Sequence, residues 1–328
     1  MTKCRIISDL HYTEGINGPS SEESSINSSL YEHFGKDLQK PVDVTLIAGD
    51  ACEGIVKHKE LFETFFNNQK VIFIDGNHLV FFISPEGTRP ILKDVKNALK
   101  KEFPKDNIFW HYLENDWMWI DDNTAIIGST FYTDYNYCDL TLEEFNEKLK
   151  SWNVWFKAYG LSSQYEPVEK LTKQIIRNET MSEAGSRMND FKWGKENNRV
   201  YLSPKYYLKL HKLAKKEVKR CHDEILKINP NAKIILMTHH CLSPQCISEK
   251  YKKGLLNASY TSDLEKWVDT KLPGVKLVIS GHVHNRVDFT FGKRNVRYIC
   301  NPCGYIKYSE PFNKKEFNPN LIINTDEL

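Results

Sequence analysis

Five times along these 328 residues a short β-branched or aliphatic run stops and gives way to Asp, Asn or His. Residues 4–8 lead into Asp9-Leu10-His11, 42–48 into Gly49-Asp50, and 71–74 into Gly76-Asn77-His78. Residues 233–238 lead into His239-His240, and 276–280 into Gly281-His282-Val283-His284. Apolar runs of this length, bounded by turn residues, read as buried strands. Helical patterns at 57–68 and 91–101 lie among them, and this rhythm defines an α/β sheet protein. In such sheets ligands collect outside the carboxyl ends of the strands. The pattern therefore points one kind of chemistry at one edge of the fold.

Taken singly, each strand end has an ordinary explanation. Asp9 or Asp50 alone suits a cap or a turn, Asn77 after Gly76 is a common turn residue, and a lone His282 would more often be a hydrogen-bonded histidine than a ligand. His282 and His284 are one residue apart, so extended backbone would send both into one pocket. Neutral imidazole is the commonest metal ligand among side chains. Together the five ends hold His11, His78, His239, His240, His282, His284, Asp9, Asp50 and Asn77. That is more than one tetrahedral zinc uses. A mixed nitrogen and oxygen set of this size suits two divalent ions about 3.5–4 Å apart, clamping the oxygens of a phosphoryl group. Two ions sharing a site need an anionic bridge, and Asp50, from the middle of the set, is the natural candidate.

The order and spelling of these stretches resemble the calcineurin-like metallophosphoesterases. Ser8-Asp-Leu-His11, Gly49-Asp50, Gly76-Asn-His78, Thr238-His-His240 and Gly281-His-Val-His284 look like the five motifs of that superfamily, in its order. Ile127-Gly-Ser-Thr-Phe-Tyr-Thr-Asp134, Leu256-Asn-Ala-Ser-Tyr-Thr-Ser-Asp263 and Asn301-Pro-Cys-Gly-Tyr305 are similar to a bacterial and phage branch of it. The resemblance implies a four-layer αββα sandwich of two mixed sheets with the site at one strand edge. It implies Asp9, His11 and His284 on one ion, Asn77, His239 and His282 on the other, and Asp50 between them. His239 is the expected ligand because the family's ligand is the first residue after the strand; His240 is the alternative, or a supporting residue. His78 is the expected proton donor to the leaving oxygen, and the nucleophile a metal-bound hydroxide. The ions of this family include manganese, iron, zinc, nickel and cobalt. The expected reaction is hydrolysis of a phosphodiester of a nucleotide or another small molecule. A nuclease, a phosphomonoesterase or protein phosphatase, and a non-catalytic metal-binding module are the alternatives.

The chain departs from the family in three places. Leu79 stands where an acidic residue usually follows Gly-Asn-His, and Cys303 where the related branch often has arginine. Ala51-Cys52-Glu53-Gly54 replaces the Asp-Arg-Gly continuation of the protein Ser/Thr phosphatases, which makes a protein phosphatase the weaker expectation.

Elsewhere the sequence is plainer. A formal charge of +2 gives no whole-molecule bias toward nucleic acid or anionic membrane. No apolar run approaches the ~18 residues of a membrane span, the N-terminus enters a strand without a signal-peptide pattern, and Thr325-Asp-Glu-Leu328 lacks the residue that would open a retention signal. Eight scattered cysteines suit reduced thiols and a cytoplasmic protein. Cys300-Asn-Pro-Cys303 has paired spacing with no second pair nearby and is expected to be buried thiol.

A Gly/Ser/Asn/Glu-rich loop is expected at 12–29 and a helix at 30–39. Further strands are expected at 117–120 and 125–129, a helix at 262–270, and a hairpin at 287–300. Residues 141–228 turn helical and charged and are expected to form an insertion or cap within a single domain, with Trp152, Trp155, Phe156 and Tyr159 in its core. Lys209, Lys212, Lys216 and Lys219 recur at helical spacing opposite Leu210, Ala214, Cys221 and Ile225. Such a stripe is more often a solvated helix face than a nucleic-acid site.

Overall fold

The computed structural model describes residues 1–12, 30, 34–52, 55–81, 92–158, 167–188, 190–191, 195–196, 199–200, 202–305 and 317–328, with side chains left undescribed at 80–81, 152–158, 195–196 and 199–200. The expected loop at 13–29 and the core role of Trp152, Trp155, Phe156 and Tyr159 lie outside what is described.

Two mixed sheets form the centre. The first runs β13-β1-β2-β3-β4, with β1 (Lys3–Ile7), β2 (Val44–Ala48), β3 (Val71–Ile74), β4 (Trp110–Tyr112) and β13 (Ile322–Asn324). The second runs β11-β12-β10-β9-β6-β5, with β5 (Asp116–Trp119), β6 (Thr124–Ser129), β9 (Lys233–Thr238), β10 (Val275–Ser280), β11 (Val287–Phe291) and β12 (Val296–Cys300). β1, β2, β3 and β4 are parallel, as are β6, β9, β10 and β12; β13, β11 and β5 are antiparallel edges.

Strand alternation sorts side chains into layers. Ile6, Leu46, Ile72, Ile235, Met237 and Ile279 meet in the layer between the sheets. Their neighbours face outward: Ile47 and Phe73 toward Leu61, Phe62 and Leu99, and Ile234 and Leu236 toward Ala214, Val218 and Ile225. The outer residues belong to helices α1 (Ile55–Phe65), α2 (Leu92–Glu102) and α5 (Pro204–Ile228). Both faces of the central strands are covered, which is why they read as continuous apolar runs. The result is the expected αββα sandwich.

Strand β4 has no counterpart in the sequence reading, although it lies within the apolar and aromatic run 108–113. Of the helix expected at 30–39, Lys36–Leu38 is a helical turn among the described residues. Buried Arg5 donates to the carbonyls of Asp37, Leu38 and Lys40 and so ties that turn to the sheet.

The segment 141–228 contains α3 (Leu142–Ala158), α4 (Lys173–Arg187), a two-stranded ribbon of β7 (Lys195–Glu196) and β8 (Arg199–Val200), and α5. Helices α3 and α4 share a small cluster of Leu140, Phe145, Leu149, Ile176 and Leu255. Helix α5 buries Ala214, Val218, Cys221 and Ile225 against the second sheet. Ser203 caps its first turn, accepting from the Tyr206 amide, and Pro204 opens it. Lys209, Lys212 and Lys216 face solvent on the far side.

Candidate metal centre

The parallel strands end at one edge of the sandwich, and their polar ends converge there. Residues after β1 and β2 run side by side, with the Asp9 amide donating to the Gly49 carbonyl and the His11 amide to Asp50. Across the gap between sheets, His239 Nδ1 lies 3.0 Å from the Ala48 carbonyl, and the His282 amide donates to Asp9 Oδ1 at 2.9 Å. The approach is close enough to require glycine. A Cβ on Gly76 would fall 2.0 Å from Asp50 Oδ1, and Gly49, at φ +87°, lies against the His239 ring.

Asp9, His11, Asp50, His282 and His284 all adopt left-handed backbone, with φ between 45° and 71°. Residues other than glycine adopt this conformation at a cost, and it concentrates where surrounding structure enforces it. This corrects the alternation argument for His282 and His284. They are not on extended backbone; two left-handed residues flanking Val283 turn the imidazoles into different groups. His284 joins Asp9 and His11, while His282 joins Asp50 and His239. Within each group the candidate ligand atoms lie within 4.8 Å of one another, and His11, Asp50 and His78 form a third, overlapping group.

The hydrogen bonds leave donor atoms facing inward. The Ala48 carbonyl engages Nδ1 of His239, so Nε2 is the nitrogen turned to the centre, 3.2 Å from Asp50 Oδ2 and 3.1 Å from Asn77 Oδ1. Burial alone would lower this imidazole, but Asp50 beside it raises it to about 9. His11 Nε2 and His284 Nε2 face each other at 3.0 Å, and His284 Nε2 lies 3.5 Å from Asp9 Oδ1. Buried His282 Nε2 has no hydrogen-bond partner. Asp9 is fully buried and Asp50 nearly so. Burial alone would raise the Asp50 carboxyl, but His239 and His78 beside it hold it well below the usual range. Burial pushes the His11 imidazole down, and His78 adds to this, so it stays neutral with its lone pair available. Anionic carboxylates, clustered imidazole nitrogens and an unsatisfied buried His282 nitrogen, all facing one centre, fit divalent cations.

His78 lies at the rim, its side chain 18 % exposed, with Nε2 3.9 Å from Asp50 Oδ2. Its amide donates to Asp50 Oδ1, and its Nε2 is 2.8 Å from the Tyr305 hydroxyl. Tyr305 also stacks on His11 at a centroid distance of 4.3 Å. His240 turns aside: its Nδ1 lies 3.4 Å from the Thr130 carbonyl and its ring against Tyr132 and His282. Histidines 58, 111, 211 and 222, assigned nothing from sequence, are buried away from these groups. His111 and His211 bond backbone carbonyls, and His222 accepts from the Gly274 amide.

The site opens into a cleft of about 1100 Å³, whose walls include Lys148, Glu183, Arg187 and Asp190 of the 141–228 segment, with Tyr260 opposite. Two features escaped sequence reasoning. Asp190 reaches the Asn77 side chain from 113 residues away. Lys96 is buried between Asp75 at 3.1 Å and Glu114 at 2.8 Å, behind the strand ends. Neither sits in a motif. Cys300 and Cys303 are buried, but Cys300 groups with Cys241 and Cys246 and bonds Ser280, not Cys303.

The chain belongs to the calcineurin-like phosphoesterase family, whose model matches residues 3–286. It is accordingly a metal-dependent phosphoesterase of a family built around a dinuclear divalent centre. Among solved structures it is similar to the phosphopantetheinyl hydrolase PptH from Mycobacterium tuberculosis. The TM-score is 0.57 at 16 % identity, over 95 % of this chain and 94 % of that one. A dimetal phosphatase from Danio rerio aligns with a TM-score of 0.45 at 12 % identity, over 93 % of this chain and 88 % of that one. No curated protein sequence matches. No described helix is long and apolar enough to cross a membrane.

Proposed function

We propose that this protein hydrolyses small phosphodiesters, nucleotides being the leading class, at a centre of two divalent ions. The observation that supports it best is the pair of donor groups, Asp9–His11–His284 and Asp50–His239–His282, with Asp50 also beside His11 and His78. In this reading the first group would hold one ion and Asn77, His239 and His282 the other, with Asp50, which lies beside His11 as well as His239, as the residue they would share. When bound, two such ions polarise the phosphoryl group and lower the pKa of water.

The chain's own residues do the rest. His78, at the rim, hands a proton to the leaving oxygen, and the Tyr305 hydroxyl fixes its ring. His240 packs behind His282 as a supporting residue. Residues 141–228 act as a cap within one catalytic unit, and Lys148 and Arg187 on the cleft wall suit a substrate with further anionic groups. The lysine stripe of α5 favours a solvated face, since Lys219 pairs with Asp223 and Arg220 with Glu217 and Glu224 along the same helix. Eight cysteines outside any disulfide suit a reducing compartment such as cytoplasm.

The test is initial rates on bis-p-nitrophenyl phosphate and p-nitrophenyl phosphate, with Mn²⁺ and after chelation, beside Asp50→Asn. The reading expects Mn²⁺-dependent turnover that favours the diester and is lost in the variant. A preference for the monoester would reject the diesterase assignment. Turnover that survives chelation would reject the two-ion mechanism.

A further inference from the structure

We propose that Asp190 is a positioning residue for Asn77, holding its side-chain amide so that Oδ1 and not Nδ2 faces the ligand cluster. The inference rests on the reading of Asn77 as a metal ligand. An asparagine amide has one end that can donate and one that can accept, and only its oxygen has a lone pair for a cation. The His239 imidazole against Asn77 does not force one orientation, because its Nε2 can present either an N–H or a lone pair.

A carboxylate does force it. Asn77 Nδ2 donates to Asp190 Oδ1 at 3.3 Å, and Asn77 Oδ1 lies 3.1 Å from His239 Nε2. Flipping the amide would set oxygen against oxygen at Asp190, in a site where Asn77 and Asp190 are 5 % and 3 % exposed. The second oxygen of Asp190 is engaged as well, since the Tyr207 hydroxyl donates to Oδ2 at 3.2 Å. Tyr207 belongs to α5, which is held to the second sheet, so the carboxylate is braced from the scaffold.

The local sequence explains why the carboxylate comes from so far away. Leu79, directly after Gly76-Asn77-His78, is buried in the apolar cluster outside the first sheet and offers no polar atom. The carboxylate that faces this loop is supplied by the 141–228 segment. Seating of that segment and orientation of one ligand are thereby joined.

The full-length protein, stripped by chelation, is titrated with Mn²⁺ by calorimetry, with manganese EPR reporting each site. Partners behind a metal ligand typically contribute 10–100-fold in affinity. Asp190→Ala is therefore expected to weaken one of two sites by about 10–100-fold and to leave the other unchanged. Asp190→Asn, which keeps an oxygen acceptor without excluding the flipped amide, should weaken the same site less. Tyr207→Phe should shift that site in the same direction, in a side chain that does not touch Asn77. Two unaltered sites in Asp190→Ala would overturn the proposal. So would equal weakening of both sites in Asp190→Ala with Asp190→Asn and Tyr207→Phe unaffected, the pattern of general damage. A wild-type chain that binds fewer than two ions would overturn the two-ion reading itself, and this assignment with it.

Discussion

The central strands β2, β3 and β6 bury every residue, while among the described residues α3 and α4 share a cluster of five buried side chains, and α4 adds Ala184 to the core outside the first sheet. The two regions also differ in what they place at the site. The sandwich delivers its polar groups at strand ends, held on left-handed backbone and against glycine. The overlying segment delivers single side chains, Asp190, Lys148 and Arg187, from helix ends and faces. Rigid donors come from the deep scaffold, and the shallow layer adds groups to the cleft wall. That division lets one centre serve different substrates by changing the layer above it.

The predictions probe that division. The largest effect belongs to the scaffold: Asp50→Ala should reduce kcat by more than the ~10²–10⁴-fold associated with one proton-transfer group, since it removes the carboxylate grouped with His239 and His282 that also lies beside His11 and His78. Steady-state rates on a chromogenic diester would show it. Next, His78→Ala should cost about 10²–10⁴-fold in kcat while Mn²⁺ stoichiometry is unchanged; loss of bound ions would make His78 a ligand.

Lys96→Met leaves Asp75 and Glu114 buried without their cation, and removing one partner of a buried pair costs about 3–5 kcal/mol. Urea denaturation should show a loss of that size. In the overlying segment, Phe145→Ala removes the centre of its cluster. Hydrogen exchange should then rise in α3 and α4 and stay unchanged in β2 and β9; a uniform rise would mean that the two regions unfold together. The smallest effect is Lys216→Ala on the exposed face of α5, within about 0.5 kcal/mol, and with no change in the salt dependence of turnover.

The same contrast governs what could be read from the chain. Fully buried strands leave long apolar runs, and a strand that ends in Asp or His at a functional edge marks its own boundary, so Asp9, Asp50 and His239 stood out. The ribbon of β7 and β8, two residues a strand, is too short to establish a period. The turns at His282 and His284 override strand alternation, since each imidazole is needed in a different group. Asp190 is one aspartate in a charged stretch, and its significance comes from α4 and α5 bringing it to Asn77. Lys96, likewise, looked like any lysine on an amphipathic helix. Tyr305 lay in a stretch recognised as similar to the bacterial and phage branch, yet its contacts with His11 and His78 depend on β12 ending beside β1.

The central claim is that the strand ends form a single centre for two ions. Counting manganese per chain on the chelated, reloaded protein, with EPR to detect coupling between ions, tests it most directly. The account predicts two ions per chain, magnetically coupled through a shared ligand, with the coupling lost in Asp50→Asn. One ion per chain, or two uncoupled ions that Asp50→Asn leaves untouched, would contradict it.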